Sequence, residues 1–198
     1  MIFRLVMHWR RLLFASLVAI GFTVTLGGSQ STGTVFSADA VKAAYLVNFI
    51  RFTEWPASAF RSDDVPFVIG VAGNKELEDY LWKITDGKTL QGRKVRVVRL
   101  INLEDAADCQ LLYIQAADSL PGVPTADWLA AIRKKNVLTV ANEPGFIAKG
   151  GIINFYTDGN NLRFEISPVT AEAAGLKLSS RLLALARIVR PDAPSPSR

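Results

Sequence analysis

Residues 65–84, VPFVIGVAGNKELEDYLWKI, decide the fold because their hydrophobic period changes in the middle. The run 65–71 is continuously apolar, which is typical of a strand buried on both faces of a sheet. Gly73 and Asn74 then mark a turn, and Asn74 is a suitable N-cap for a helix that reaches Ile84. The inward positions of this helix recur at helical spacing: Leu77, Leu81 and Ile84. The segment therefore predicts a strand followed by a helix that packs on it.

The alternation of strands and helices continues along the chain. Three further runs predict strands: 94–100, 111–114 and 137–140. Residues 126–135 predict a helix between the last two of them. The sequence Asp-Gly-Asn-Asn at 158–161, between the apolar runs 152–156 and 162–166, is a strong hairpin signal. This order predicts a three-layer α/β fold with a mainly parallel sheet of about five to six strands and a C-terminal antiparallel hairpin.

The two ends of the chain differ from its middle. Residues 169–189 predict a helix that is broken near Gly175 and capped again by Ser179 or Ser180. The ending 190–198, with three prolines, predicts a disordered tail. About 150 residues remain between the leader and this tail, which suits one domain, expected at 39–189.

The N-terminal residues 1–38 have the pattern of a secretory signal peptide followed by a short spacer. Three arginines precede 15 uncharged, mostly apolar residues at 12–26, and small polar residues follow. The alternative is an uncleaved anchor, but a spanning helix needs about 20 apolar residues. We therefore expect cleavage between Gly28 and Asp39, and a mature, periplasmic chain that does not span the membrane.

The charge of the chain argues against nucleic-acid binding. The formal net charge is +5, and the leader, with three arginines and no acid, accounts for three of these charges. No block of basic residues occurs in the rest of the sequence. A nearly neutral, exported chain without a basic stripe is not the pattern of a nucleic-acid-binding protein.

The residue types available after the leader exclude several classes of enzyme. The one histidine, His8, lies in the leader, so Ser-His-Asp and Cys-His systems and the usual zinc sites cannot form. We expect the carboxylates of Asp64, Glu104 and Glu143 to be solvated. Cys109 precedes an apolar strand and is expected to be a buried, inert thiol, with intermolecular pairing as the alternative. The sequence thus predicts no enzyme, no cofactor and no metal.

Binding candidates come from strand ends and from aromatic side chains. The loop after strand 137–140 begins where open α/β sheets usually bind ligands. It contains three candidates: Asn142, Glu143 and Phe146. Trp55 is a further candidate for the wall of an apolar pocket. Arg163 and Glu165 share one strand face, where we expect a surface ion pair, although a partner could dock on that face.

The segment 43–56, AAYLVNFIRFTEWP, places one amide among four large aromatic residues. Its apolar spacing predicts the first core helix, at about 39–53, ended by Pro56. Asn48 falls on the apolar stripe in this interpretation. A buried amide needs a hydrogen-bond partner, so we expect Asn48 to tie the helix to a loop, with direct ligand contact as the alternative.

Three blocks together resemble the YfiR/HmsC-like periplasmic proteins. They are KAAYLVNFIRFTEWP at 42–56, GFIAKGGIINF at 145–155, and LRFEIS with AAGLKLSSRLLALARIV within 162–189. The resemblance implies a small exported α/β protein with no known enzymatic activity. Members of that family repress an inner-membrane diguanylate cyclase from the periplasm, and so restrain cyclic-di-GMP synthesis and biofilm formation. A shared fold alone does not establish that role.

The chain departs from the family pattern at two places. Ser167 stands where the family usually has asparagine, and we expect Ser167 to take over the capping role. The single cysteine excludes redox control through an internal disulfide. The sequence thus favours a regulator that binds the sensor region of a membrane signalling enzyme, with a homodimer left open. The alternative is a periplasmic small-molecule sensor or carrier, and a hydrolase that uses carboxylates alone ranks third.

Overall fold

A computed structural model describes residues 37–115 and 123–191. The expected signal peptide, most of its cleavage range and residues 192–198 of the expected tail lie outside these residues. In the described part, the helices are α1 (Ala38–Arg51), α2 (Lys75–Thr85), α3 (Thr125–Ala131), α4 (Pro168–Ala173) and α5 (Ser180–Leu185). Two 3₁₀ segments, Ala57–Ala59 and Leu103–Asp108, complete the helical elements.

Side-chain caps begin the helices where the sequence predicts them. The side chain of Asn74 accepts a hydrogen bond from the backbone N–H of Leu77 at 2.8 Å and so begins α2. Ser167 and Ser179 cap α4 and α5 in the same way. Each cap satisfies a backbone donor that the first turn of a helix leaves free. The predictions for Asn74, Ser167 and Ser179 are therefore confirmed.

The strands form one large sheet and one small one. In chain order they are β1 (Thr53–Glu54), β2 (Phe67–Ala72), β3 (Thr89–Leu90), β4 (Arg93–Arg99), β5 (Leu111–Ile114), β6 (Leu138–Ala141), β7 (Ile153–Asp158), β8 (Asn161–Ile166), β9 (Lys177–Leu178) and β10 (Arg187–Ile188). The large sheet has eight strands in the order β10-β8-β7-β6-β5-β2-β4-β3. All neighbours are parallel except β3–β4 and β7–β8. β1 and β9 pair separately and antiparallel.

The mixed α/β class with a mostly parallel sheet is confirmed, but the strand count of five to six is wrong. The sheet has eight strands because β3 and β10, of two residues each, also join it. β7 and β8 pair antiparallel as the hairpin signal predicts. They do not close the sheet, however, because β10 adds in parallel outside β8. Residues 187–188 lie in the segment predicted as helix, so that part of the prediction is also wrong.

Two hydrophobic cores lie on opposite faces of the large sheet. On the first face, α1, α2, α4 and α5 pack against alternate residues of the strands. Phe49 of α1 contacts Phe155 of β7 and Phe164 of β8, with ring centroids 5.6 and 5.0 Å apart. On the second face, Trp128 of α3 and Phe146 pack with residues of β2, β5 and β6. These two cores give the three layers that the sequence predicts.

Helix α1 is turned relative to the expected orientation. Its buried side carries Leu46, Phe49 and Ile50, whereas Asn48 is exposed. Even Lys42 lies on the buried side, where its ammonium pairs with Asp39 at 3.1 Å. The expectation that Asn48 is a buried amide is therefore wrong. The physical reason is that α1 is apolar nearly all round, so its sequence does not define a single inward stripe.

Candidate functional site

One face of the strands β7, β8 and β10 carries mainly polar side chains. Asn154, Glu165 and Arg187 lie side by side in register on these strands, and Ala141 of β6 extends the row. Ala141 belongs to the second core, so the row faces the second layer. No residue of β7, β8 or β10 belongs to that core. We call this the open face.

The outer part of the open face presents an aromatic ring and two arginines. Tyr156 and Arg163 are register partners two residues further along β7 and β8. Arg163 and Arg187 are exposed, and Tyr156 is half-buried. The Arg187 guanidinium lies over the Tyr156 ring, 4.1 Å from its centroid. This stacking fixes a cation against an aromatic surface that solvent can reach.

A hydrogen-bond network beneath these side chains fixes their positions. The Asn154 side chain accepts from the backbone N–H of Glu143 at 3.0 Å and donates to Glu165 at 3.1 Å. Asn154 and Glu165 are only 3% and 9% exposed. Glu165 also accepts hydrogen bonds from Nε of Arg187, at 3.1 Å, and from its Nη2. Three strands and the start of the loop 142–151 are thereby linked through hydrogen bonds, of which those to the Glu165 carboxylate are charge-assisted.

The loop 142–151 borders the open face, and the contacts of Glu143 and Phe146 fix its position. The Glu143 carboxylate accepts hydrogen bonds from the Thr125 hydroxyl, at 2.5 Å, and from the Lys149 ammonium. Its side chain is only 15% exposed, so the expectation of a solvated carboxylate is wrong here. The two donors compensate the desolvation of this carboxylate. Phe146, at the middle of the loop, is fully buried in the second core.

The structure brings some of the predicted site residues together and separates others. Asn142 directly precedes Glu143, and the network joins Glu143 to Glu165. The expected ion pair between Arg163 and Glu165 is not formed, because Glu165 is buried and pairs with Arg187 instead. Arg163 makes no ion pair with any described residue and remains on the open face.

Trp55 and Asn48 lie away from this face. The Trp55 indole N–H donates to the backbone oxygen of Asn136 at 3.1 Å. Its ring stands edge-on to Phe67, with centroids 4.9 Å apart. Trp55 therefore holds the chain after α1 against the sheet. Asn48 is exposed on α1, and its side chain makes no hydrogen bond to a described residue.

Two residues of the open face, Asn154 and Arg187, are not among the candidates from the sequence, and Tyr156 is there only one of several aromatic residues that could line a pocket. A signal for the first was present, because Asn154 interrupts the apolar run 152–155 and its alternation with Tyr156 is that of a strand with one polar face. No comparable signal placed Arg187 beside Glu165. Its segment has helical spacing, and only the three-dimensional order of the strands brings the two side chains together.

The open face combines arginine and tyrosine side chains with buried polar groups. Among the described residues, no cluster of three or more histidine, cysteine, aspartate or glutamate side chains could hold a metal ion. Within 37–115 and 123–191, no helix combines the length and apolar character needed to cross a bilayer. Arginine and tyrosine are enriched at protein interfaces because they offer a large contact area together with directional hydrogen bonds.

Cys109 is buried, as the sequence predicts, and packs in the second core. Burial raises the pKa of its thiol to about 12, and the charge of Asp108 contributes in the same direction. The pKa is raised above its ordinary value of 9.0. The thiol therefore contributes stability that is fully present below about pH 9 and is lost as the pH rises towards 12, because the unfolded chain releases the proton first.

We expect the folded protein to resist alkylation. At pH 8, the raised pKa lowers the thiolate fraction of Cys109 roughly a thousandfold relative to a free thiol. Iodoacetamide should therefore label the native protein far more slowly than the urea-unfolded chain, as followed by intact mass. Cys109→Ala gives the background, since the chain has one cysteine. Rapid stoichiometric labelling of the native protein would contradict the buried thiol.

One family model matches most of the described residues, including those of the open face. Residues 39–187 match a family model described as YfiR/HmsC-like. The matched span runs from the first turn of α1 to Arg187, so it includes the open face and the network beneath it. A search of curated proteins returned no match. The family match covers well over half of the chain and agrees with the three blocks of resemblance, so the protein belongs to the YfiR/HmsC-like family.

Proposed function

We propose that residues 39–189 form an exported regulatory domain that binds the periplasmic region of an inner-membrane diguanylate cyclase and holds that enzyme inactive. The family suggests a regulatory periplasmic protein connected with cyclic-di-GMP control. The partner's extracytoplasmic sensor region is the part that an exported domain can reach. The open face, with the adjoining Asn142 and Glu143, is the surface that we assign to this contact.

The observation that carries the proposal is the fixed geometry of the open face. Arg187 is held by Glu165 and stacked on Tyr156, so its guanidinium loses little conformational entropy when a partner binds. Arg163 stands beside it, exposed and without an ion pair among the described residues. Preorganised arginine and tyrosine side chains are the types that dominate binding energy at interfaces.

Repression requires only a difference in affinity between two states of the partner. If the domain binds the inactive conformation of the cyclase more tightly, it shifts the equilibrium by the ratio of the two affinities. If the two states of the free enzyme are equally populated, a ratio of roughly 100, equivalent to about 2.7 kcal/mol, is enough to hold most of the enzyme inactive. The domain needs no chemistry of its own for this effect.

Deleting the gene is the direct test of this function. We expect the deletion to raise cyclic-di-GMP and surface attachment, since the cyclase is then released. The rise should disappear when the partner cyclase is deleted as well, and Cys109→Ser should restore repression with or without reductant, because Cys109 has no partner cysteine within the chain. Unchanged cyclic-di-GMP in the single deletion would contradict the repressor function.

A further inference from the structure

A cavity of about 460 Å³ lies at the amino ends of the central strands, whereas the loop 142–151 follows the carboxyl end of β6. Val68, Gln110 and Val137 form its floor, at the amino ends of β2, β5 and β6. Its volume falls within the roughly 300–1,000 Å³ of small-molecule sites. None of the residues that we assign to partner binding lines this cavity.

Four cationic side chains and one carboxylate line the cavity. The carboxylate, Asp108, pairs with Arg61 at 2.7 Å, and both groups are well exposed. The remaining three cations, Arg96, Lys134 and Lys135, make no ion pair with a described residue. The cavity thus concentrates positive charge in a chain that is nearly neutral after its leader. Converging charges of one sign in a concave site raise the local concentration of counter-ions.

The walls of the cavity are fixed by hydrogen bonds, so the cavity is preformed. Gln110, which is 7% exposed, accepts from the backbone N–H of Val68 at 2.8 Å and donates to the backbone oxygen of Ala59 at 3.0 Å. The Asn136 side chain donates to the backbone oxygen of Ala174 at 2.8 Å. These two amide side chains are therefore used within the protein, whereas the three unpaired cations remain available to a ligand.

The backbone conformation of Lys134 shapes the turn that borders the cavity. The φ of this residue is +62°, the left-handed conformation that commonly ends a helix, and it lies in the turn directly after α3. The turn after α3 thereby places Lys134 and Lys135 in succession beside the cavity.

We propose that this cavity binds a small multivalent anion that carries carboxylate or phosphate groups. Arginine offers paired N–H donors to either group, and lysine offers a point charge. The two chemistries share these recognition elements, so the ligand class is the small polyanion. This proposal does not rest on the repressor function. The residues that line the cavity are not those of the open face, and anion binding is measured without the cyclase.

Calorimetric titration of the purified mature protein tests the proposal. Citrate is the carboxylate probe and pyrophosphate is the phosphate probe, and the tighter of the two identifies the preferred chemistry. We expect saturable binding that weakens as sodium chloride is raised, since salt screens exposed charges. The double variant Arg96→Glu/Lys135→Glu should weaken binding at least roughly tenfold, because it reverses two of the three unpaired charges.

A matched control and a milder variant complete the design. Lys83→Glu/Lys177→Glu makes the same change of charge at two exposed lysines outside the cavity, and its affinity should stay within roughly twofold of the parent. If the first double variant fails to fold by circular dichroism, Lys135→Gln replaces it, with a smaller loss expected. Absence of saturable binding for both probes, or equal losses in the cavity and control variants, would overturn the proposal.

Discussion

Gly151→Ala is expected to lower the free energy of unfolding by about 3–5 kcal/mol, as much as losing a buried phenylalanine does. A Cβ atom at position 151 would lie 2.1 Å from Cε1 of Phe146 and 2.2 Å from its Cδ1. The Phe146 ring is fully buried, so it cannot rotate away into solvent without leaving the second core. Either the ring is expelled or the backbone of the loop 142–151 shifts, and both outcomes disturb the position of Glu143.

A double-mutant cycle separates this clash from a general loss of stability. Phe146→Ala removes the ring and leaves room for the added methyl group. We therefore expect Gly151→Ala/Phe146→Ala to be about as stable as Phe146→Ala alone, which is a strongly non-additive result. Urea unfolding of the four proteins, followed by circular dichroism, gives the free energies. Additive losses in the double variant would show that Gly151 is required for a reason other than this contact.

The elements that the sequence predicts well are those whose own side chains specify them. The strand and helix within 65–84 form β2 and α2, because an unbroken apolar run and a capped amphipathic stripe are local signals. The predictions for Ser167 and Ser179 succeed for the same reason, since a helix cap depends on a hydroxyl and a backbone donor three residues away.

The elements that the sequence does not predict are specified by neighbours. β10 has two residues, too few for any period, and it is a strand only because β8 offers a free edge beside it. α1 has no single apolar stripe, so its orientation depends on which side chains the sheet accepts. This dependence explains why Lys42 is buried and Asn48 is exposed.

The sequence singles out several residues of the open face but not the contacts between them. Asn142, Glu143, Arg163 and Glu165 were proposed as two separate groups, and the structure places both groups on or beside the open face; their binding role stays a prediction. Their connections depend on Asn154 and Arg187, which lie between or beside them only in the folded sheet. A strand pattern states which face a side chain takes, but it does not state which strand comes next to it.

The open face itself is tested most sharply by Arg163→Glu. Arg163 is exposed and makes no ion pair with a described residue, so the change should leave the thermal midpoint nearly unaltered. If the face contacts the cyclase as we propose, reversing a charge beside Arg187 should weaken binding by about 2 kcal/mol or more, which is roughly 30-fold. Cells that carry this variant should then show cyclic-di-GMP close to that of the deletion, despite normal amounts of the protein.

Lys83→Glu on α2 is the matched control for this variant. It makes the same change of charge at an exposed position on the helix that covers the first face of the sheet, away from the open face. We expect this control to repress like the parent protein. Cyclic-di-GMP and protein abundance, measured together for both variants in the deletion background, decide the matter. If Arg163→Glu represses as fully as Lys83→Glu, the open face is not the contact surface. Repression would then have to act through another part of the domain, because net charge and abundance are the same in the two variants.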